Sequence, residues 1–220
     1  MTTDETKTVK PTLKQRVYRQ FGKPTGFWGG LAGRIMAHRS SNVVRNRWTV
    51  ELLELESDDC VLEIGFGPGI ALEAIAHTVT AGRIFGLDHS EVMLAQASKR
   101  NAAALQDNRL SLTIGSVEED AQLPDEIDKI LAVNVVQFWR QPVETLSRLR
   151  AALRPGGQIA LTYQPRQSGA TDEDAHDKGR QLVANLEEAG FASTRLEVRA
   201  LEPAAVCAIG ERPVARNNTV

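Results

Sequence analysis

The sequence predicts a doubly wound α/β fold, a mostly parallel seven-stranded sheet with helices on both faces. Three observations carry that reading. Short apolar, β-branched runs alternate with helix-length amphipathic segments from about residue 43 to residue 210. The run Cys60 to Ile64 is apolar except for one acid, as suits a central strand covered on both sides. It ends in the loop Gly65-Phe66-Gly67-Pro68-Gly69, after which Ile70 to Ala76 takes up helical character. With 220 residues, of which 42% are hydrophobic and 25% charged, the chain can bury one sizeable core, so a single main domain is expected.

Net charge is −2, but it is unevenly placed. Residues 1–50 hold ten Lys and Arg against Asp4 and Glu5; subtraction from the totals of 26 and 28 leaves 16 basic and 26 acidic residues in the rest. Residues 1–42 therefore read as a basic head. Leu13, Val17 and Phe21 form the apolar stripe of a short helix, and the stretch from Gly22 to Gly33 sets Phe27 and Trp28 among five glycines, a composition suited to a lid over a substrate. The plainer role for the head is packing on its own acidic body, and nucleic acid is a less favoured partner. Ser40, Ser41 and Asn42 offer N-caps for a helix from Val43 to Leu55, with Val44, Trp48 and Leu52 on one face.

Beyond the glycine loop, Arg83 to Asp88 is a second strand ending in an acid 19 residues past Gly69. Ser90 caps a helix to about Ala104, with Met93, Leu94 and Ala97 inward, and Leu110 to Ile114 is a third strand followed by Gly115-Ser116-Val117. Asp128 to Asn134 is a fourth strand leading into Gln137, Phe138 and Trp139. The helix Pro142 to Leu153 stops at Arg154-Pro155-Gly156-Gly157, and Gln158 to Tyr163 is the fifth strand. A helix from Asp174 to Gly190 precedes two last strands, Glu197 to Ala200 and Ala205 to Gly210, expected to be antiparallel. Residues 211–220 are a polar, flexible tail.

The phosphate-binding dinucleotide fingerprint places its third glycine where this chain has Ile70. Glu63 followed by Gly65, Gly67 and Gly69 instead resembles motif I of the class I S-adenosylmethionine-dependent methyltransferases. Asp88, the Asn134 strand end and the Arg-Pro-Gly-Gly turn follow in that family's order, over about three quarters of the chain. The resemblance implies a Rossmann-like methyltransferase domain at residues 43–210 that binds S-adenosyl-L-methionine. By resemblance, Glu63 and the three glycines belong to the cofactor loop, Asp88 grips the ribose, and His89 and Met93 line the adenine. Many relatives carry an acid where Ser116 stands, reaching the adenine amino group; by resemblance Ser116 marks that edge here, with the Val117 backbone or Glu118 substituting for the missing acid, and Asn134 faces the amino-acid end. Phe27, Trp28, Gln137 and Trp139 would then meet the acceptor.

The reaction implied is in-line methyl transfer, most simply to a small molecule. RNA or protein methylation, served by the basic head, and cofactor binding without turnover are the alternatives. A general base is optional; His38, Tyr163 and His176 are the candidates. No metal-ligand spacing occurs, Cys60 and Cys207 read as buried reduced thiols, and no stretch approaches the roughly 20 apolar residues of a membrane span, so a cytoplasmic enzyme is expected.

Overall fold

The computed structural model describes residues 40–119 and 122–214. In chain order these form α1 (Ser40–Leu52), β1 (Cys60–Ile64), α2 (Ile70–Thr78), β2 (Arg83–Asp88), α3 (Glu91–Arg100), α4 (Ala102–Gln106), β3 (Leu110–Ile114), β4 (Ile127–Val133), a 3₁₀ turn (Val136–Phe138), α5 (Pro142–Ala152), β5 (Leu153–Tyr163), α6 (Asp172–Glu188), β6 (Ala192–Arg199) and β7 (Ala205–Glu211). The seven strands make one sheet in the order β3-β2-β1-β4-β5-β7-β6. The first five are mutually parallel, and β7 runs antiparallel between β5 and β6.

Sequence order reverses between β1 and β4. Connections on either side of that point leave the sheet in opposite directions, which opens a crevice at the carboxyl ends of the two strands. Apolar side chains fill both faces. On one, Trp48 of α1, Leu72 and Ile75 of α2 and Met93 of α3 pack on the sheet; on the other, Leu146 and Leu149 of α5 join Leu182 and Leu186 of α6. Leu146 and Leu149 are fully buried, each contributing roughly 1.5–3 kcal/mol by removal from water.

Several boundaries differ from the sequence expectation for identifiable reasons. The helix expected from Ser90 to Ala104 is two helices, broken at Asn101, whose Nδ2 donates to the carbonyls of Gly69 (3.1 Å) and Ala97 (3.0 Å). The Arg154 to Gly157 segment does not simply turn the chain. It is absorbed into β5, with Gly156 N–H on the Arg212 carbonyl and Arg212 N–H on that of Gly157, both at 2.8 Å. The helix expected at Asp174 begins at Asp172, where Thr171 and Asp174 form a reciprocal capping box. The sixth strand starts at Ala192 rather than Glu197, because its polar, largely exposed residues still pair along β7. Cys207 is buried as expected, but Cys60 is only half-buried, since it opens β1 at the sheet margin; both thiols are free. No described helix is long and apolar enough to cross a membrane.

Helix α1 also starts and ends earlier than expected, and it turns a different side inward. Trp48 is buried, while Val44 and Leu52 are only half covered. Buried beside Trp48 are four polar residues, Asn42, Arg45, Asn46 and Thr49. They find partners across the sheet end: the Thr49 hydroxyl meets that of Thr162 at 2.6 Å, and Arg45 Nη1 donates to Gln164 Oε1 at 2.5 Å.

Candidate functional site

The crevice at the switch point is walled by the glycine loop, the end of β2, the 134–138 segment after β4, the N-terminal half of α1, and Arg166. Its surface is mostly apolar, with Phe66, Ile70, Met93, Val135 and Phe138 supplying much of it. Such a lining sheds water and strengthens the few polar contacts placed within it.

The three loop glycines do separate jobs. All have positive φ, at 70°, 50° and 78° for Gly65, Gly67 and Gly69, so each takes a backbone shape that side chains resist. A Cβ on Gly65 would lie 2.4 Å from a Val135 methyl, and one on Gly69 would lie 2.9 Å from the Ala97 Cβ and 3.0 Å from its Cα. Gly65 therefore admits the segment after β4, and Gly69 admits α3. Only Gly67 has open space where its Cβ would be, and it lines the crevice.

Two carboxyl groups fix this loop. Asp88 Oδ2 accepts the Gly67 N–H at 2.8 Å and Oδ1 accepts that of Ser90 at 2.9 Å, which latches the loop to the tip of β2. Burial pushes the Asp88 carboxyl up, and its backbone hydrogen bonds pull it part of the way back. Glu63 lies beneath. Gly69, at the N-cap of α2, has no side chain to cap with, and the Glu63 carboxyl accepts the Leu72 N–H instead, while its Oε2 has no partner among the described residues. Complete burial, then the charge of Asp88, push the Glu63 carboxyl well above the ordinary glutamate range.

The sign of the resulting pH dependence follows from that shift. Between the ordinary glutamate value and the raised one, the folded state holds a proton that the unfolded chain has released. The contribution is fully present below the ordinary glutamate range and is lost as pH climbs through it toward the raised value, by up to about 1.4 kcal/mol per pH unit. Glu63→Gln is expected to flatten this decline while keeping an acceptor for Leu72. Urea unfolding of both proteins at a series of pH values checks it; parallel curves would show that Glu63 ionises normally.

The α1 wall carries positive charge. Arg45 is 1% exposed; its Nη1 reaches Gln164, its Nη2 donates to Asn42 Oδ1, and its Nε has no hydrogen-bond partner among the described residues. Arg166 Nη2 donates to the same Asn42 oxygen at 3.2 Å. Burial, with Arg166 adding repulsion, brings the Arg45 guanidinium down to about 9.

Of the residues singled out from the sequence, Gly65, Gly67, Asp88, His89, Met93, Asn134 and Gln137 meet at the crevice. Glu63 and Gly69 support the loop from behind. The Asn134 side chain is bonded to the β5 end, its Nδ2 to the Gln164 carbonyl at 2.9 Å and its Oδ1 from the Gln164 N–H at 2.8 Å, so it ties two strand tips together. The Gln137 amide donates to the Asn134 carbonyl. Ser116, Val117, Trp139, Tyr163 and His176 are not among the crevice walls: Ser116 Oγ accepts the Glu118 N–H, Val117 is buried, and Trp139 and Tyr163 pack on the core. Phe27, Trp28 and His38 lie outside the described residues. Asn42, Arg45, Asn46 and Arg166 were missed as site residues; the sequence signal was a helix with polar residues on the side beside Trp48.

Known proteins share this fold and much of this sequence. The family model for a methyltransferase domain matches residues 62–159. An uncharacterised methyltransferase of Bacillus subtilis is 32% identical over 184 residues, 83% of this chain and 98% of that protein. A trans-aconitate 2-methyltransferase of Paracidovorax citrulli is 31% identical over 64% of this chain and 52% of its own length. Among solved structures, a SAM-dependent methyltransferase from Aquifex aeolicus superposes with a TM-score of 0.66 at 18% identity, covering 83% of this chain and 97% of that one. From the glycine loop, the strand order and the full-length match in B. subtilis, the chain belongs to the class I S-adenosylmethionine-dependent methyltransferases.

Proposed function

We propose that this enzyme methylates a small-molecule acceptor in the crevice, with S-adenosylmethionine held by Gly65, Gly67, Asp88, His89 and Met93. The observation that carries the cofactor placement is the pairing of Gly67, open where its Cβ would be, with Asp88, whose carboxylate lies at the same loop. The Asp88 carboxylate takes backbone donors from Gly67, Ser90 and His89 and, with room for about four on its two oxygens, keeps capacity for a ribose hydroxyl. Trans-aconitate methyltransferases act on a small organic acid, and the similarity to them supports a compact acceptor.

When bound, the cofactor supplies a methyl group already activated on a cationic sulfur. What the chain's own residues contribute is alignment and exclusion of water: Gly67, bare of a side chain, lets the loop backbone lie against the cofactor, and Phe66, Met93, Val135 and Phe138 keep the walls dry. Val133 and Asn134 hold the floor through the β5 tie. No proton need be moved by a side chain at the transferred carbon, so the distance of Tyr163 and His176 from the crevice walls is compatible with turnover.

The test is transfer of isotopically labelled methyl from S-adenosylmethionine to a panel of small-molecule fractions, bulk RNA and bulk protein. Label in small molecules is the expected result. Label confined to RNA or protein would overturn the acceptor assignment and leave the cofactor site standing.

A further inference from the structure

The α1 wall holds a cation that no described side chain neutralises. Arg45 is buried, two of its nitrogens donate to the neutral side-chain oxygens of Gln164 and Asn42, and its Nε has no acceptor among the described residues. Among the described residues no carboxylate forms an ion pair with it. Asp88, which lines the same crevice, is bonded to the backbone of Gly67 and Ser90, and Glu63 lies beneath the loop on Leu72. A guanidinium keeps its proton in proteins, so it stays charged in a place where burial and the neighbouring Arg166 both disfavour charge. A buried cation of this kind is tolerated where a ligand brings the missing anion.

We propose that Arg45 and Arg166, joined through Asn42 Oδ1, form an anion subsite, and that the methyl acceptor is a carboxylic acid held there by its carboxylate. This rests on the small-molecule reading above. Charge counting separates the acceptor from the cofactor as the source of that anion. S-adenosylmethionine carries one carboxylate but also an ammonium and a sulfonium, so its arrival leaves a crevice with two guanidiniums more positive. An anionic acceptor restores the balance. The planar fork of each guanidinium suits the two oxygens of a carboxylate, and bonds of that kind, charge-assisted and dry, fix orientation as well as occupancy.

The experiment measures binding and needs no turnover. The full chain saturated with S-adenosylhomocysteine is titrated calorimetrically, at constant ionic strength, with acetate, succinate, benzoate and citrate and with the corresponding neutral amides. At least one acid should bind, its amide should not, and Arg45→Gln and Arg166→Gln should each weaken the acid by tenfold or more. Arg166 is exposed, so its variant tests the subsite even where Arg45→Gln folds poorly. A second arm compares S-adenosylhomocysteine with 5′-methylthioadenosine, which lacks the amino-acid end. The two variants should bind both nucleosides with the wild-type ratio.

Three results would overturn the proposal: no acid binds, acids and amides bind alike, or Arg45→Gln weakens S-adenosylhomocysteine while sparing methylthioadenosine, which would assign the guanidinium to the cofactor. Failure of the small-molecule reading is distinguishable, because it shows as labelled RNA or protein and not in these titrations.

Discussion

Asp88→Ala lowers affinity for S-adenosylmethionine by roughly 1.5–3 kcal/mol, about 10- to 150-fold, the range for hydrogen bonds to a charged group. Two losses combine. The ribose loses its charged acceptor, and the Gly67 N–H loses the partner that sets the loop. Asp88→Asn separates them in part, because an amide keeps one acceptor oxygen but faces N–H groups on both sides with a second donor. It should fall between wild type and alanine. Since burial raises the Asp88 carboxyl, wild-type affinity should also decline on acidification at a higher pH than an ordinary aspartate would set. Calorimetry across pH checks all three, and unchanged affinity in Asp88→Ala would take this residue out of the site.

Gly69→Ala is the second large effect, and it should act on folding. The new methyl meets the Ala97 backbone and Asn101 while φ stays at 78°. Left-handed strain of about 1–3 kcal/mol adds to overpacking of similar size, so roughly 2–6 kcal/mol of stability is lost, lowering Tm by about 10 °C. Gly67→Ala reverses the pattern. Its methyl enters open space, so stability falls by only about 1 kcal/mol from the positive φ. Cofactor affinity should drop more than tenfold, because that space belongs to the crevice. Thermal melts and calorimetry on the two variants check the contrast; equal stability losses would show that the loop relaxes and that the glycines are interchangeable.

Most of the sheet was legible because strands covered on both faces are short continuous apolar runs, bounded by turn residues. The cofactor loop was legible because a strand ending in spaced glycines has few other uses. Asp88 was found through its register after that loop, and the structure seats it at Gly67. What the sequence did not disclose depends on long-range polar pairing. Periodicity assigns Val44 and Leu52 to the core because they are apolar, yet the buried edge of α1 is Asn42, Arg45 and Thr49, matched by Gln164 and Thr162 more than 110 positions away. Hydropathy cannot see a partner that arrives from another strand. The Asn134 assignment shows the same limit: a polar strand end signals a site, but its amide is taken up by the Gln164 backbone. Strand β6 was read too short because its residues are polar and it is held by backbone pairing.

The antiparallel strand β7 has a consequence for biogenesis. It follows β5 and β6 in the chain, yet six of its seven residues are buried and it is wedged between those two earlier strands. Until Glu211 is in place, the apolar β5 and the polar β6 both present unpaired backbone edges that invite pairing with other chains. A chain cut short near Pro203 therefore lacks the strand that joins β5 to β6, and it should be a client of chaperones and proteases.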